Sequence, residues 1–355
     1  MSLRVIQWGT GSVGAESLRA ILDSAELELV GVKVFSEDKD GADAGSLAGR
    51  EPVGILATAD VDTILAAEAD CVAYMPRTGS VAEVCALLSS GKNVVTTAFL
   101  FHPERIAAPD REALRDACTA GGATLHGTGL NPGNLSAALP FALSGMSRTI
   151  ERLTLQERAD WSAYESTSIT FDQMRFGQPP DEVTEARSES LARTSGLFQQ
   201  QVWLLADTLD AAIDEVTTTL EVVPAQHAHV IGGRELAVGT VAGQRWRWSG
   251  RRDGATLVEI EALWTVGGED PPDWPTPQHG WTLTVEGEPS MQVHFISLAS
   301  FERRASMAEH VAAANIATAM QAVNAITAVC AAPPGFATAA TLPPIRSARG
   351  FGRPG

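Results

Sequence analysis

The chain is 355 residues long, with 45% hydrophobic and 19% charged residues, which gives room for two domains and excludes a disordered polymer. A formal net charge of -17 repels phosphate backbones and argues against a nucleic-acid partner. Cys71, Cys85, Cys118 and Cys330 are scattered without a CxxC pair, which fits free thiols in a reducing cytoplasm and argues against a disulfide framework or a zinc site.

The charged-then-apolar opening at residues 3–8 is too short for a signal peptide. Residues 4–8 read as a strand, 16–23 as a helix on the spacing of Leu18, Ile21 and Leu22, and 27–35 as a Val-rich strand. Further strands are expected at 70–75, 93–97 and 123–126, with helices at 81–89 and 110–120. Short apolar strands alternating with amphipathic helices predict βαβ units and a parallel sheet covered on both faces, here over residues 1–134.

Beyond about residue 134 the rhythm changes. A helix at 135–144 leads into the segment 152–157, then a loop-like stretch through Pro180 and a helical segment at 185–214. Strand-like runs follow at 219–223, 236–241, 256–265 and 281–285, separated by Gly and Pro clusters such as 267–277. The fold class expected is therefore α/β: an N-terminal Rossmann dinucleotide-binding domain, then an α+β second domain at 135–307 with a mixed or antiparallel sheet. Residues 311–332 carry no charge and are long enough to cross a bilayer. Hydrocarbon would penalise Asn315, Thr318, Gln321, Asn324 and Thr327, so the segment reads as a helix without a polar face, buried in protein. A helix at 308–332 is expected to pack back onto the first domain, and no membrane partner is expected. The Pro/Gly/Arg-rich residues 333–355 read as a disordered tail or an arm over a neighbour.

Gly9-Thr10-Gly11-Ser12-Val13-Gly14 is a G-x-G-x-x-G run between a predicted strand and a predicted helix. Gly9 suits the tight turn, Gly11 the approach of a pyrophosphate, and Gly14 the close packing of helix on strand. The helix N-terminus offers unpaired N–H groups to the phosphates. Strand, glycines, helix and second strand together predict dinucleotide binding by residues 9–14. At the end of the second strand, where an acid would hold the ribose of NAD, stand Val34 and Phe35. Ser36 and Lys39 follow and suit a 2′-phosphate, although Glu37 and Asp38 oppose one. NADP is the expected cofactor, with NAD the alternative.

Three stretches resemble one family, the 2,4-diaminopentanoate dehydrogenases and native amine dehydrogenases, also described as dihydrodipicolinate-reductase-like NAD(P)-dependent oxidoreductases. They are Val5-Ile6-Gln7-Trp8-Gly9-Thr10-Gly11; Gly127-Thr128-Gly129-Leu130-Asn131-Pro132-Gly133-Asn134; and Ala322-Val323-Asn324-Ala325-Ile326, with Ala331-Ala332-Pro333-Pro334-Gly335 behind it. The resemblance implies reductive amination of a small ketone or aldehyde with ammonia and NAD(P)H, or the reverse, by a homodimer built through its second domain. It also implies a glutamate in the loop after the strand at 93–97, and here the sequence departs. That loop reads Thr97-Ala98-Phe99-Leu100-Phe101-His102-Pro103-Glu104, with its only carboxylate beyond the proline.

Hydride transfer leaves negative charge on a heteroatom, so a proton donor must stand nearby. His102 is the titratable candidate at the carboxyl ends of the strands, or else merely caps its loop. Tyr164 is a second candidate, since its ring and hydroxyl suit a pocket wall as well as a core. Phe99 and Phe101 would line an apolar substrate pocket. Asn131 either meets the cofactor or starts the turn before the next helix, and the buried amide of Asn324 could be satisfied by the cofactor. His227 and His229 share a strand face without a third ligand, so no metal is expected. Trp246, Trp248 and Trp264 supply apolar area in the second domain and suggest a two-fold homodimer there, with the tail crossing the subunit boundary. The leading expectation is an amine dehydrogenase-like enzyme acting on a small carbonyl or amine. A carbonyl or imine reductase lacking the family's glutamate is the first alternative. A non-catalytic dinucleotide-binding redox sensor is the alternative from another class.

Overall fold

The computed structural model describes residues 2–163, 166–268, 274–275 and 278–348. Two compact units emerge, Met1–Asn134 with Ala312–Gly355, and Leu135–Val311.

In the first unit β1 (Leu3–Trp8) leads through α1 (Ser12–Leu22) to β2 (Leu27–Lys33). The chain continues through α2 (Ala44–Leu47), α3 (Val61–Ala66), β3 (Cys71–Tyr74), α4 (Val81–Ser89), β4 (Asn93–Thr96), α5 (Ala108–Gly121) and β5 (Thr124–Gly127). Helix starts carry the signals expected of them: Asp43, Asp60 and Ser80 accept first-turn N–H groups of α2, α3 and α4. Gly122, at φ 63°, ends α5 in the left-handed conformation that glycine adopts without strain. The strands are parallel in the order β2-β1-β3-β4-β5, with apolar cores on both faces, so alternation of strand and helix has produced the doubly covered sheet.

In the second unit α6 (Ala138–Ser144) precedes β6 (Thr149–Asp160), α7 (Glu189–Thr208), β7 (Glu215–Pro224), β8 (His229–Ile231) and β9 (Arg234–Leu236). Then come β10 (Val241–Arg252), β11 (Ala255–Thr265), β12 (Gly280–Glu288) and β13 (Met291–Phe295). Among the described residues the main sheet runs β13-β12-β6-β11-β10-β7 and is mixed, because β6 pairs parallel with β11 and antiparallel with β12. The tryptophans depart from expectation. Trp246 and Trp248 are fully buried, Trp264 nearly so, and Trp248 stacks on Phe198 of α7 with ring centroids 4.2 Å apart. Alternation in β10 assigned them to one face correctly; α7 of the same chain covers that face, so they are core and supply no intersubunit surface.

The final helix α8 (Met307–Ala331) is long and apolar enough to cross a membrane by length and composition. Its face at Ala319, Ala322, Val323, Ile326 and Val329 packs in a core with Val5, Ala73 and Val95 of the parallel sheet. The helix is not buried all round, since Ile316 is exposed. The tail is also corrected: Gly335–Ala337 form β14, which pairs parallel with β5, and Leu342 reaches the same core. The imidazole of His126 on β5 holds the Ala337 carbonyl at 2.9 Å. Through residue 348 the tail is therefore an edge strand and cover of its own domain; residues 349–355 lie outside the described residues.

Candidate functional site

In the parallel sheet the chain leaves β1 for β2 on one side, then crosses to β3 on the other, so the strand order reverses at β1. Ligands of open α/β sheets bind beyond the carboxyl ends at such a switch point. The glycine run stands there, and its three glycines have different reasons to be glycine. Gly9 has φ +90°, and a Cβ on it would lie 2.6 Å from the Met75 carbonyl oxygen that follows β3. A Cβ on Gly14 would lie 2.2 Å from the Gly9 oxygen. The fold itself requires both. Gly11 has φ -72° and ψ -170°, open to any residue, and its Cβ would meet nothing within 4 Å. Its exposed side leaves room for a ligand at the start of α1, whose first N–H groups lack intrahelical acceptors and whose first turn carries no acid. These features fit a dinucleotide diphosphate. Gln7, a buried amide in an apolar strand, pins the loop from beneath by donating to the Gly9 oxygen at 2.8 Å.

Two groups expected at the adenosine end meet. Lys39 donates to the Thr10 carbonyl at 3.0 Å and lies 3.3 Å from the Thr10 hydroxyl. Exposed Ser36 heads the short helical turn Glu37–Lys39, and its carbonyl accepts the Lys39 N–H. Ser12 and Val13 open α1 beside them. Sequence reasoning passed over Lys33, the last residue of β2. Its ammonium donates to the Val34 carbonyl at 2.6 Å and lies 4.4 Å from the Phe35 ring centroid.

Next along the sheet, the Tyr74 hydroxyl at the end of β3 donates to Glu83 of α4 and accepts the Ser80 N–H. Burial, then the Glu83 carboxylate, push this phenol well above its usual range, so Tyr74 remains a donor. Its ring faces Trp8 on one side and Phe99 on the other, with centroids 5.5 and 6.1 Å away. A Cβ on Gly79 would lie 2.4 Å from the Phe99 ring, so this phenylalanine locks the β3 loop to the β4 loop. No motif pointed to this clamp; a tyrosine ending a strand and a glutamate in the next helix's first turn were its only signal.

Within the β4 loop Leu100 takes φ 61°, a strained value for a branched residue, and its carbonyl excludes any side chain at Gly127. Leu100 and Phe101 are buried, and Phe99 is half-buried. His102 is 6% exposed and ends the same loop. Glu104 is turned away onto Arg115 of α5, so the loop presents no free carboxylate. After β5, Asn131 precedes Gly133 at φ 138°, and Asn134 donates to Gln321 of α8. The expectation for Asn324 shifts accordingly. Cys330 further along α8 contacts the Asp70 carbonyl at the amino edge of β3, so Gln321 lies nearer the carboxyl edge. The Asn324 carbonyl oxygen accepts from Ala348 of the tail. Tyr164 lies outside the described residues.

Residues 137–351 match the family of the 2,4-diaminopentanoate dehydrogenase C-terminal domain. The chain belongs to that family. Over 357 aligned residues it is 29% identical to a protein named amine dehydrogenase from Streptomyces virginiae, covering 96% of each chain. Its fold matches the amine dehydrogenase from Mycobacterium smegmatis with a TM-score of 0.78, at 22% identity over 99% of each chain. It also resembles the myo-inositol dehydrogenase from Lactobacillus casei, solved with NAD(H) and myo-inositol, with a TM-score of 0.56 and 16% identity over 96% of this chain and 90% of that one. This member of the diaminopentanoate dehydrogenase family is an NAD(P)-dependent oxidoreductase with a Rossmann-type first unit.

Proposed function

We propose that this enzyme interconverts a small ketone or aldehyde and the corresponding amine, using ammonia and NADP(H). Gly11, which neither backbone nor packing requires to be glycine, at the open start of α1, supports the dinucleotide part of the reading, and the family with its 29% identical amine dehydrogenase relative supports the amine part. Bound NADPH would supply a hydride to a C=O or C=N carbon. The chain's own groups would do the rest. Residues Gly9 to Gly14 would hold the diphosphate, and Thr10, Ser36 and Lys39 the phosphorylated ribose. Asn131 would face the nicotinamide end from the loop after β5. His102, at the carboxyl end of β4, would give the proton that neutralises charge developing on the substrate heteroatom.

One observation favours a second reading, a carbonyl or imine reductase. The β4 loop carries Ala98, Phe99 and Leu100 where the family resemblance implies a glutamate, and Glu104 is paired with Arg115. Loss of NADPH absorbance with a panel of small aldehydes and ketones, with and without ammonia, separates the two. Turnover only with ammonia supports amine formation, and turnover in either buffer supports the reductase. No turnover with any substrate refutes both and leaves a dinucleotide sensor.

A further inference from the structure

Lys33 is a buried cation whose charge is poorly matched by its surroundings. Its residue exposure is 4%, yet its one hydrogen-bond acceptor among the described residues is the neutral Val34 carbonyl. The Phe35 and Trp8 rings take up the remaining approach, with centroids 4.4 and 5.6 Å from the ammonium. Three carboxylates act on it from further off, and each is already engaged. Glu83 accepts from Tyr74, Asp40 from the Ala59 N–H, and Asp60 caps α3 through Asp62 and Thr63. Burial lowers the Lys33 pKa, as expected where desolvation exceeds compensation. Trp8 adds a second fully buried donor, for its indole N–H has no acceptor.

These unmet donors lie under the residues that would hold the adenosine ribose. Lys33 closes β2, and Val34, Phe35 and Ser36 follow it directly. Phe35 lies on the ammonium, its ring centroid 4.4 Å away, while remaining 57% exposed, so the ring stands between the buried charge and solvent. A buried charge without an ion partner is destabilising, and an apolar side chain of similar length would serve the core better. Residues that reduce stability in this way concentrate at sites of function.

We infer that Lys33, covered by Phe35, is a cofactor-specificity residue: it supplies the positive potential that favours an anionic substituent, a 2′-phosphate, on the adenosine ribose. The inference rests on the NADP reading above and adds a determinant to it. Phe35 excludes water from the ammonium, which keeps the local dielectric low and lets the charge act over several ångströms without direct contact. Lys39 and Ser36 are reachable from solvent and would touch the phosphate; Lys33 would act through the field beneath it.

The test compares the parent with Lys33→Met, Lys33→Arg and Lys39→Ala, measuring dissociation constants for NADPH and NADH by cofactor fluorescence and melting temperature without cofactor. Lys33→Met should lower the NADPH-to-NADH affinity ratio by roughly ten-fold. It should leave NADH binding unchanged and raise the apoprotein melting temperature by roughly 2–4 °C. Lys33→Arg should keep most of the ratio. An unchanged ratio in Lys33→Met beside a reduced one in Lys39→Ala overturns the Lys33 assignment and leaves the NADP reading intact. Equal weakening of both cofactors, or the same collapse in Lys33→Arg, shows that packing and not charge is at work and also overturns it. A parent without NADPH preference refutes the NADP reading, and this inference falls with it.

Discussion

Replacing each of Gly11 and Gly14 by alanine separates a glycine kept for a ligand from one kept for the fold. At Gly14 the new methyl would lie 2.2 Å from the Gly9 oxygen and 2.9 Å from its carbonyl carbon, both main-chain atoms of the turn. Such an overlap can be relieved only by moving α1 off β1, and overpacking of this kind costs about 1–3 kcal/mol or more. At Gly11 the methyl meets nothing within 4 Å, and the backbone angles suit alanine. Restricting the unfolded chain would stabilise by about 0.4–1 kcal/mol. Alanine is a poorer N-cap than glycine by a similar amount, so stability should change by less than about 0.5 kcal/mol. A shift of that size moves the melting temperature by roughly 1–2 °C. Cofactor binding should behave oppositely, because the methyl enters the space left for the diphosphate. Loss of one charged hydrogen bond, about 1.5–3 kcal/mol, corresponds to a rise in NADPH dissociation constant of roughly 10- to 100-fold. Thermal melting and fluorescence titration of the two variants and the parent give both quantities. A Gly11→Ala protein that binds NADPH like the parent would refute the placement of the diphosphate.

Lys39→Ala should narrow the preference for NADPH over NADH by about 1.5–3 kcal/mol while leaving NADH affinity nearly unchanged, read by the same titrations. His102→Ala should slow turnover by roughly 10²-fold or more with cofactor affinity retained; an unaltered kcat across pH assigns proton donation to another group. His126 is buried, which lowers its pKa despite the bond to the Ala337 carbonyl, so the unfolded chain takes up its proton first as pH falls. Its contribution to stability is therefore whole above the usual imidazole value of about 6.5 and declines below it. His126→Asn, which can still donate to Ala337, should flatten melting temperature against pH in that window, and an unchanged profile would remove His126 as the cause. Sedimentation at micromolar concentration should give a two-fold dimer through the second unit; with the tryptophans in the core, the contact would fall on the polar sheet face carrying Arg247, Glu221 and Arg152. A stable active monomer excludes it.

What the sequence disclosed, and what it withheld, divides by range of interaction. The βαβ order was legible because each strand and helix declares itself within ten residues or so, and the glycine turn because its torsion and its contact with α1 are local. Gly335–Ala337 was not legible as a strand. Three residues after a double proline have no periodicity, and they become β14 only because β5 offers an open edge. The tryptophans of β10 show the same limit from another side: alternation gives the shared face but not which element covers it.

The candidate site lies on the non-local side of that division. Lys33, Trp8, Tyr74, Thr96 and Gly127 come from five separate segments, and the strand registers place them side by side at the carboxyl edge of the sheet. Lys33 is an ordinary strand residue in its own segment, so the sequence points to half-buried Lys39 in the loop and not to Lys33. Once the row is assembled, its chemistry is uneven. The cation and the free indole N–H stand at the β2 and β1 end, the Tyr74–Glu83 clamp at β3, and an apolar, carboxylate-free loop follows β4. Lys33 and Lys39 therefore stand where the adenosine phosphate would lie, among the carboxylates of Glu37, Asp38 and Asp40, and no free carboxylate stands in the β4 loop beside His102. That polarity follows from the order of strands in the sheet, and it predicts that substitutions at Lys33 and Lys39 act on the choice of cofactor while substitutions at His102 act on the rate.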